Sequence, residues 1–395
     1  MRTPIAITGV GVVSPAGTTA DALWRALLRQ DDRRGKWPKR SLSGYPIDNV
    51  ISIPEDLWRT LNGANGTREN RARALADFVV TQALEEARVA ADGVRLGCIL
   101  ASTTAGVEIT ENSVIARSDG EAAPSDFDGS SILPPRAWTG PVSVISTACS
   151  SGLMAPALAV DALLAGEADV MIAGGVDVLL EYTICGFNAL RLTSDERCRP
   201  FATGRKGAVL SEGAVCFCLE PLDAARARGA PIRAVIDGYG IGCDADHVTA
   251  PNAVGVARVI GQAFETSGVA RESIGGVFAH GTGTLANDAS EVAALRAVFG
   301  DVAVPPITAI KSLLGHPQAA AGAFSLLAAI LALQHRQLPP TAGVVEIDRD
   351  LNGVDVVREA AQPLAARTLM ANAFGFGGNN CVMIVSAPGA RESAS

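Results

Sequence analysis

The sequence predicts a layered α/β protein built from two similar halves, and three observations lead there. Short apolar β-type runs alternate with Ala- and Leu-rich helical stretches along the whole chain. At 395 residues the chain is long for one hydrophobic core and short for three. The composition is 48% hydrophobic, 19% charged and 5% aromatic, with 41 glycines, which suits helices packed closely on buried strands.

The strand-like runs of the first half are Ile5 to Thr8, Leu96 to Leu100, Val142 to Ile145, Val170 to Ala173 and Val215 to Leu219. Each is rich in β-branched or aliphatic residues and is followed by turn-formers or by a helical pattern. The theme repeats in Ala234 to Ile236, Gly276 to Ala279, Ile307 to Ala309 and Cys381 to Val385. Between the two sets, Asp223 to Pro231 reads as a charged helix end closed by Gly229, the natural seam. Arg33 to Glu69 and Arg117 to Pro135 are rich in Gly, Pro, Ser and Asp and read as long irregular segments of the kind that carry specificity. The tail from Pro388 to Ser395 reads as frayed.

Bulk properties narrow the function. A net charge of −8 argues against a nucleic-acid surface. The most apolar long stretch, Ala319 to Leu333, is about 15 residues against the ~20 of a membrane span, so it reads as a buried helix. Met1 to Pro4 leads straight into a strand without the pattern of a signal peptide, and a cytoplasmic protein is expected. The eight cysteines are scattered without a CxxC pair, and no three histidines stand at metal spacing, so neither a disulfide framework nor a metal site is expected. Thr8-Gly9-Val10-Gly11 imitates a dinucleotide-binding turn, but Ser14 occupies the third glycine position. No cofactor is expected.

The chemistry concentrates in four segments. Ser146-Thr147-Ala148-Cys149-Ser150-Ser151-Gly152 links an apolar strand to the helical run Leu153 to Ala165, which places Cys149 in a strand-to-helix turn. A helix N-terminus favours a thiolate, and the small neighbours leave room for an incoming acyl group. Alone, this loop fits a nucleophile and a buried structural cysteine equally. Pro156 in the following helix is expected to be tolerated because Gly152, four residues earlier, relieves the clash of its ring. Two of the four histidines stand in Gly-flanked turns after strand-like runs, in Ala279-His280-Gly281-Thr282-Gly283-Thr284 and in Lys311-Ser312-Leu313-Leu314-Gly315-His316. Two such turns together with the cysteine loop favour catalysis over structural histidines. Finally, Asn372 to Asn380, with the core Phe374-Gly375-Phe376-Gly377-Gly378, reads as a loop whose backbone N–H groups can face a developing oxyanion.

In this order and combination the segments resemble the β-ketoacyl-acyl carrier protein synthases of the elongating type, in the thiolase-like superfamily. The resemblance extends over essentially the whole chain and includes the scaffold segments ITGVGVVSPAG, AGGVD, RPF and SEGA. The Cys-His-His set separates it from thiolases and from initiating synthases. It implies a five-layered α-β-α-β-α fold of two pseudo-equivalent halves, residues 1–228 carrying the cysteine and 229–388 carrying the histidines, with a flexible tail at 389–395. It implies decarboxylative condensation of an acyl group on Cys149 with malonyl-acyl carrier protein. His280 and His316 then bind the thioester carbonyl, and the N–H groups of Cys149 and Phe376 form an oxyanion hole. Phe376 matches a gating phenylalanine, and Lys311 and Glu291 match a buried supporting pair. Asp244 and His247 match a structural segment. An acidic acyl carrier protein is the implied partner, with Arg71, Arg73, Arg191 and Lys206 expected to dock it. A dimer is implied, with a second copy or with a chain-length-factor-like subunit.

Several positions depart from the family. The helical segment that precedes the active cysteine, and contributes to pocket and dimer, is represented only by Asp126 to Pro141. Asn379-Asn380 replaces the commoner Thr-Asn, and Ala202 stands where an Asp usually follows Pro-Phe. These features look most like the short synthases of aryl-polyene and related polyene pathways. The rival reading is a non-condensing chain-length-factor-like subunit, which would lack the cysteine. A degradative thiolase would need a second catalytic cysteine, and Cys381, inside a strand-like run, reads as core.

Overall fold

In the computed structural model the described residues are 3–37, 47–62, 70–89, 93–118, 132–351 and 353–390. Ten strands form the main sheet: β1 Ile5–Val13, β2 Leu96–Ala101, β3 Val142–Ile145, β4 Val170–Asp177, β5 Gly213–Pro221, β6 Ala234–Cys243, β7 Ile274–Phe278, β8 Ile307–Thr308, β9 Thr368–Phe374 and β10 Asn379–Ser386. Their spatial order is β3-β2-β4-β5-β1-β6-β10-β9-β7-β8. The first five strands run 3-2-4-5-1, and the second five, renumbered from β6, run 1-5-4-2-3. Pairing sense repeats as well. β2 is parallel to β3 and β4, as β7 is to β8 and β9, while β4–β5–β1 and β9–β10–β6 are antiparallel. The pseudo-equivalence of the halves is therefore visible in topology.

The two half-sheets join only where Ile5, Ala6 and Ile7 meet Ile236, Val235 and Ala234. Three residue pairs cannot hold ten strands in one plane, and the halves stack face to face around a shared layer of helices. Helices α1 Arg71–Ala87, α2 Ser151–Leu164, α3 Ala253–Ser267, α4 Leu285–Phe299 and α5 Ala321–His335 make the other layers. α1 covers β1, β4 and β5 from outside, α3 packs on β6 and β10 with α4 beside it, and α2 and α5 touch strands of both half-sheets. The result is the α-β-α-β-α layering.

Side-chain alternation agrees with these layers. Val215, Phe217 and Leu219 of β5 point into the central cluster with α2 and α5, whereas Cys216 and Cys218 point out toward α1. Cys381 of β10 is wholly buried in the central cluster, as core. The apolar stretch expected as a buried helix is α5, in the middle layer, where Ala321 through Leu333 are all buried. α2 accommodates Pro156 inside the helix. Gly152 serves a further purpose there, because a Cβ would stand 2.4 Å from Ala319 O at the head of α5. Its lack of a side chain lets the two central helices meet.

Of the long irregular segments, residues 38–46, 63–69 and 119–131 lie outside the described residues, and with them the start of the segment Asp126 to Pro141. The tail beyond Ala390 lies outside them too.

Candidate active site

The repeat brings the site together. α2 follows β3 in the first half and α5 follows β8 in the second, so the turns ahead of the two central helices occupy equivalent places. One carries Cys149 and the other His316.

The cysteine turn is built by its own serines. Ala148 adopts φ +53, a conformation costing about 1–2 kcal/mol for a residue with a Cβ. Ser151 Oγ accepts from Thr147 N at 2.8 Å and donates to Ala148 O at 2.5 Å, and Ser150 Oγ donates to Thr147 O at 2.8 Å. Those bonds hold the strained turn, which leaves Cys149 just ahead of the helix and 5% exposed. The glycine loop closes over it. A Cβ on Gly375 would lie 2.6 Å from Thr147 O and 3.2 Å from Cys149 N, so only glycine permits the contact. The N–H groups of Phe376 and of Cys149 itself consequently face the sulfur.

His316 does not follow its strand directly, as the sequence reading had it. The one-turn helix Lys311–Leu314 intervenes, and the histidine is fixed by pairing with the first half. His316 N donates to Val209 O at 2.7 Å, and Ser211 N donates to His316 O at 3.1 Å. Its Nε2 then lies 3.1 Å from Cys149 Sγ. The His280 ring stands beside it, centroids 5.6 Å apart and planes at 84°.

Lys311 and Glu291 are both buried, but what they share is His280 and not a direct ion pair, which corrects the expectation. Lys311 Nζ donates to His280 O at 2.5 Å and stands 3.3 Å from its Nδ1. Glu291 accepts from His280 N and Gly281 N, each at 2.9 Å, and from Asn372 Nδ2 at 3.0 Å. Three donors occupy the carboxylate, and the ammonium takes the opposite side of the histidine backbone.

Burial decides the protonation states. It drives both histidines well below the ordinary imidazole range, with the Lys311 charge adding to the effect. It also lowers Lys311 itself to about 8. The Cys149 thiol is pushed up to about 12, since burial outweighs the favourable charge of Lys311 and the two N–H groups. Burial thus opposes the thiolate that the helix N-terminus favours, and proton transfer to His316 Nε2 is the route to a strong nucleophile.

A narrow cleft opens onto the sulfur, lined by both histidines, Thr282, Thr284, Phe374 and Phe376 among others. Phe187 also lines it, and no motif pointed to this residue. Its ring packs on Phe376 with centroids 5.5 Å apart and meets His316 edge-on at 6.1 Å. The contact arises only once the helix Glu181–Ala189 folds over the second half.

The proposed docking set divides. Arg73, Arg191 and Lys206 are exposed, Lys206 in ion pairs with Glu196 at 2.7 Å and Asp195 at 3.7 Å. Arg71 does not belong with them. It is buried, bonds Glu212 Oε2 at 2.6 Å and lies 4.2 Å above the Trp58 ring. A guanidinium so enclosed cannot meet a partner. Arg71→Met should leave the apparent KM for carrier-bound substrate unchanged and lower unfolding stability by about 3 kcal/mol, because Glu212 remains buried without its counter-charge. Chemical denaturation checks the second effect and steady-state kinetics the first.

Beside Ala202, Arg205 donates to Ala202 O and to the Asp348 carboxylate, and its Nε forms an ion pair with Asp288 Oδ2 at 3.2 Å. Asp288 is itself pushed up to about 6 by burial and anchors Phe201 N at 2.8 Å. Asp244 ties the glycine loop to its neighbours, accepting from Asn380 Nδ2 at 2.7 Å and donating its N–H to Gly378 O at 2.9 Å. His247 Nδ1 accepts from Thr249 N and Ala250 N, both within its own loop.

Comparison with known proteins agrees with this arrangement. Residues 2–225 match the beta-ketoacyl synthase N-terminal domain and residues 233–345 the beta-ketoacyl synthase C-terminal domain. Nodulation protein E of Rhizobium meliloti is 32% identical over 396 residues, covering 96% of this chain and 98% of the relative. Among solved structures, the ishigamide ketosynthase/chain length factor superposes with a TM-score of 0.88 at 30% identity, covering 98% of this chain and 100% of that one. A type II polyketide synthase ketosynthase, bound to the hexaketide in complex with its acyl-carrier protein, superposes with a TM-score of 0.87 at 26% identity, with the same coverages.

Proposed function

The chain belongs to the beta-ketoacyl synthase family of condensing acyltransferases, and from that premise we propose that it extends an acyl chain held on Cys149 by decarboxylative condensation with malonyl-acyl carrier protein. The observation that carries the reading is the 3.1 Å approach of His316 Nε2 to Cys149 Sγ, with His280 alongside and two backbone N–H groups turned to the sulfur.

Cys149 attacks the carbonyl of an acyl-carrier thioester as its proton moves to His316, and the N–H groups of Cys149 and Phe376 hold the oxyanion. The carrier thiol departs with that proton. Malonyl-carrier then occupies the cleft with its thioester oxygen between His280 and His316. Loss of CO2 leaves an enolate on that oxygen, and its carbon attacks the Cys149 thioester. The C–S bond breaks, 3-oxoacyl-carrier leaves, and the Cys149 thiolate takes up a proton from solvent by way of His316. Neutral imidazoles suit this work, since a ring that is already uncharged can accept the thiol proton or donate Nε2–H to the enolate.

The finer reading is chain elongation in a polyene branch of fatty acid or polyketide synthesis, supported by Asn379-Asn380 and Ala202. The enzyme works in the cytoplasm as a dimer, with a second copy or a chain-length-factor-like subunit, and Arg73, Arg191 and Lys206 meet the carrier. Arg191 is the best placed of these, exposed one residue before Leu192 of the cleft wall. The division at residue 228/229 rests on the repeated strand order, with 389–395 as a tail.

Intact-protein mass spectrometry after exposure to a panel of acyl-carrier proteins tests the central claim. Wild type should gain one acyl mass and Cys149→Ala none. Equal loading of both would overturn it.

A further inference from the structure

Asp177, at the end of β4, is wholly buried, and like Glu291 it meets donors and, among the described residues, no cation within ion-pair distance. Six donors surround it. Oδ1 accepts from Ser102 Oγ at 2.7 Å, Thr103 N at 2.9 Å, Thr104 N at 3.0 Å and Thr104 Oγ1 at 2.8 Å. Oδ2 accepts from Thr103 Oγ1 and from Ala319 N, both at 2.7 Å. Burial raises the carboxyl above its ordinary range although the donors pull it back. Three of the contacts are backbone N–H groups, which can only donate, and the three hydroxyls can turn their hydrogens to the same oxygens.

The two ends of this cluster lie on different halves of the protein. Ser102 to Thr104 follow β2, whereas Ala319 stands three residues after His316, at the head of α5. In the second half, Glu291 pins the loop after β7 through His280 N and Gly281 N. Asp177 pins the equivalent loop after β2 through Thr103 N and Thr104 N, and then reaches across to the His316 turn. The crossing has little slack. A Cβ at Gly175 would stand 2.8 Å from Ala319 O, so β4 and the His316 turn are already in contact.

Building on the condensation reading, we propose that Asp177 is a positioning residue for it. By clamping Ala319 N to the Ser102–Thr104 loop, its carboxylate fixes the turn that holds His316 against the Cys149 sulfur.

The test is Asp177→Asn, which keeps the shape but turns an amide against a ring of donors. Two readouts separate positioning from mere support of the fold. Per folded molecule, kcat for condensation should fall by about a hundredfold with KM for malonyl-carrier within about threefold of wild type, as for a misplaced catalytic group. Separately, iodoacetamide alkylation of Cys149 at neutral pH, followed by intact mass, should slow about tenfold, because His316 Nε2 is no longer held at the sulfur to take its proton. That second readout needs no acyl substrate, so it stands even if the condensation reading fails. Thr103→Val, which removes one hydroxyl from the carboxylate and is close in volume, should move both readouts the same way by a smaller amount, and it carries the test if Asp177→Asn does not fold. A folded variant with an unmoved alkylation rate, or a loss of kcat matched by the loss of folded protein, overturns the proposal.

Discussion

Replacing His280 with alanine is expected to slow CO2 release from malonyl-carrier by a factor of about 10²–10³, the usual cost of one oxyanion donor, while Cys149 still loads acyl groups at close to the wild-type rate. The asymmetry follows from where the two rings stand. His316 Nε2 is within 3.1 Å of the sulfur and is the group placed to take its proton. His280 is held by Glu291 and Lys311 on its backbone and presents its ring beside His316 in the cleft. His316→Ala should therefore depress both steps, losing proton transfer from the thiol as well as a donor to the enolate. Loading is read by intact mass and decarboxylation by release of CO2 from malonyl-carrier without a primer. A His280 variant that loses both steps equally would show that the two histidines do not divide the work in this way.

The parts of the site carried by short segments are legible in the sequence. Cys149, His280, His316 and Phe376 each stand in a turn marked by glycines or small residues, because a backbone that must approach another closely leaves that mark in the sequence. Long-range burial leaves no such mark. Arg71 looks like any surface arginine until Glu212, from 141 positions away, is brought to it. Phe187 lies in an ordinary-looking helix and reaches the site only through tertiary packing. The desolvation of Cys149 leaves no local mark either. The helix N-terminus is local and readable, whereas the desolvation that outweighs it is produced by both halves closing on the sulfur. In the fold, the alternation of apolar runs with helical stretches revealed the strands, but the mirrored strand order depends on pairings that no local pattern encodes.

Lys311→Met should separate activity from stability. Lys311 is wholly enclosed and lowered to about 8 by burial, against an ordinary value of 10.5. Keeping it charged at neutral pH costs the fold roughly 3 kcal/mol, and the sign follows from the protons bound. Between about pH 8 and 10.5 the unfolded chain holds the Lys311 proton that the native chain has released, so this residue's contribution makes stability rise with pH across that window and is level below it. Methionine removes that cost but leaves His280 O without its donor, a loss of about 1–3 kcal/mol. The terms nearly cancel at pH 7, so thermal unfolding should occur within a few degrees of wild type while the rise above pH 8 disappears. Activity should not survive so well. The ammonium holds His280 through its carbonyl, and its charge helps keep both imidazoles neutral. Without it kcat should fall about a hundredfold, and the acid limb of the kcat profile should move to higher pH as the histidine pKa values climb back toward 6.5. A variant that keeps the wild-type acid limb would show that Lys311 acts through its hydrogen bond alone, and one that retains kcat would remove it from the machinery.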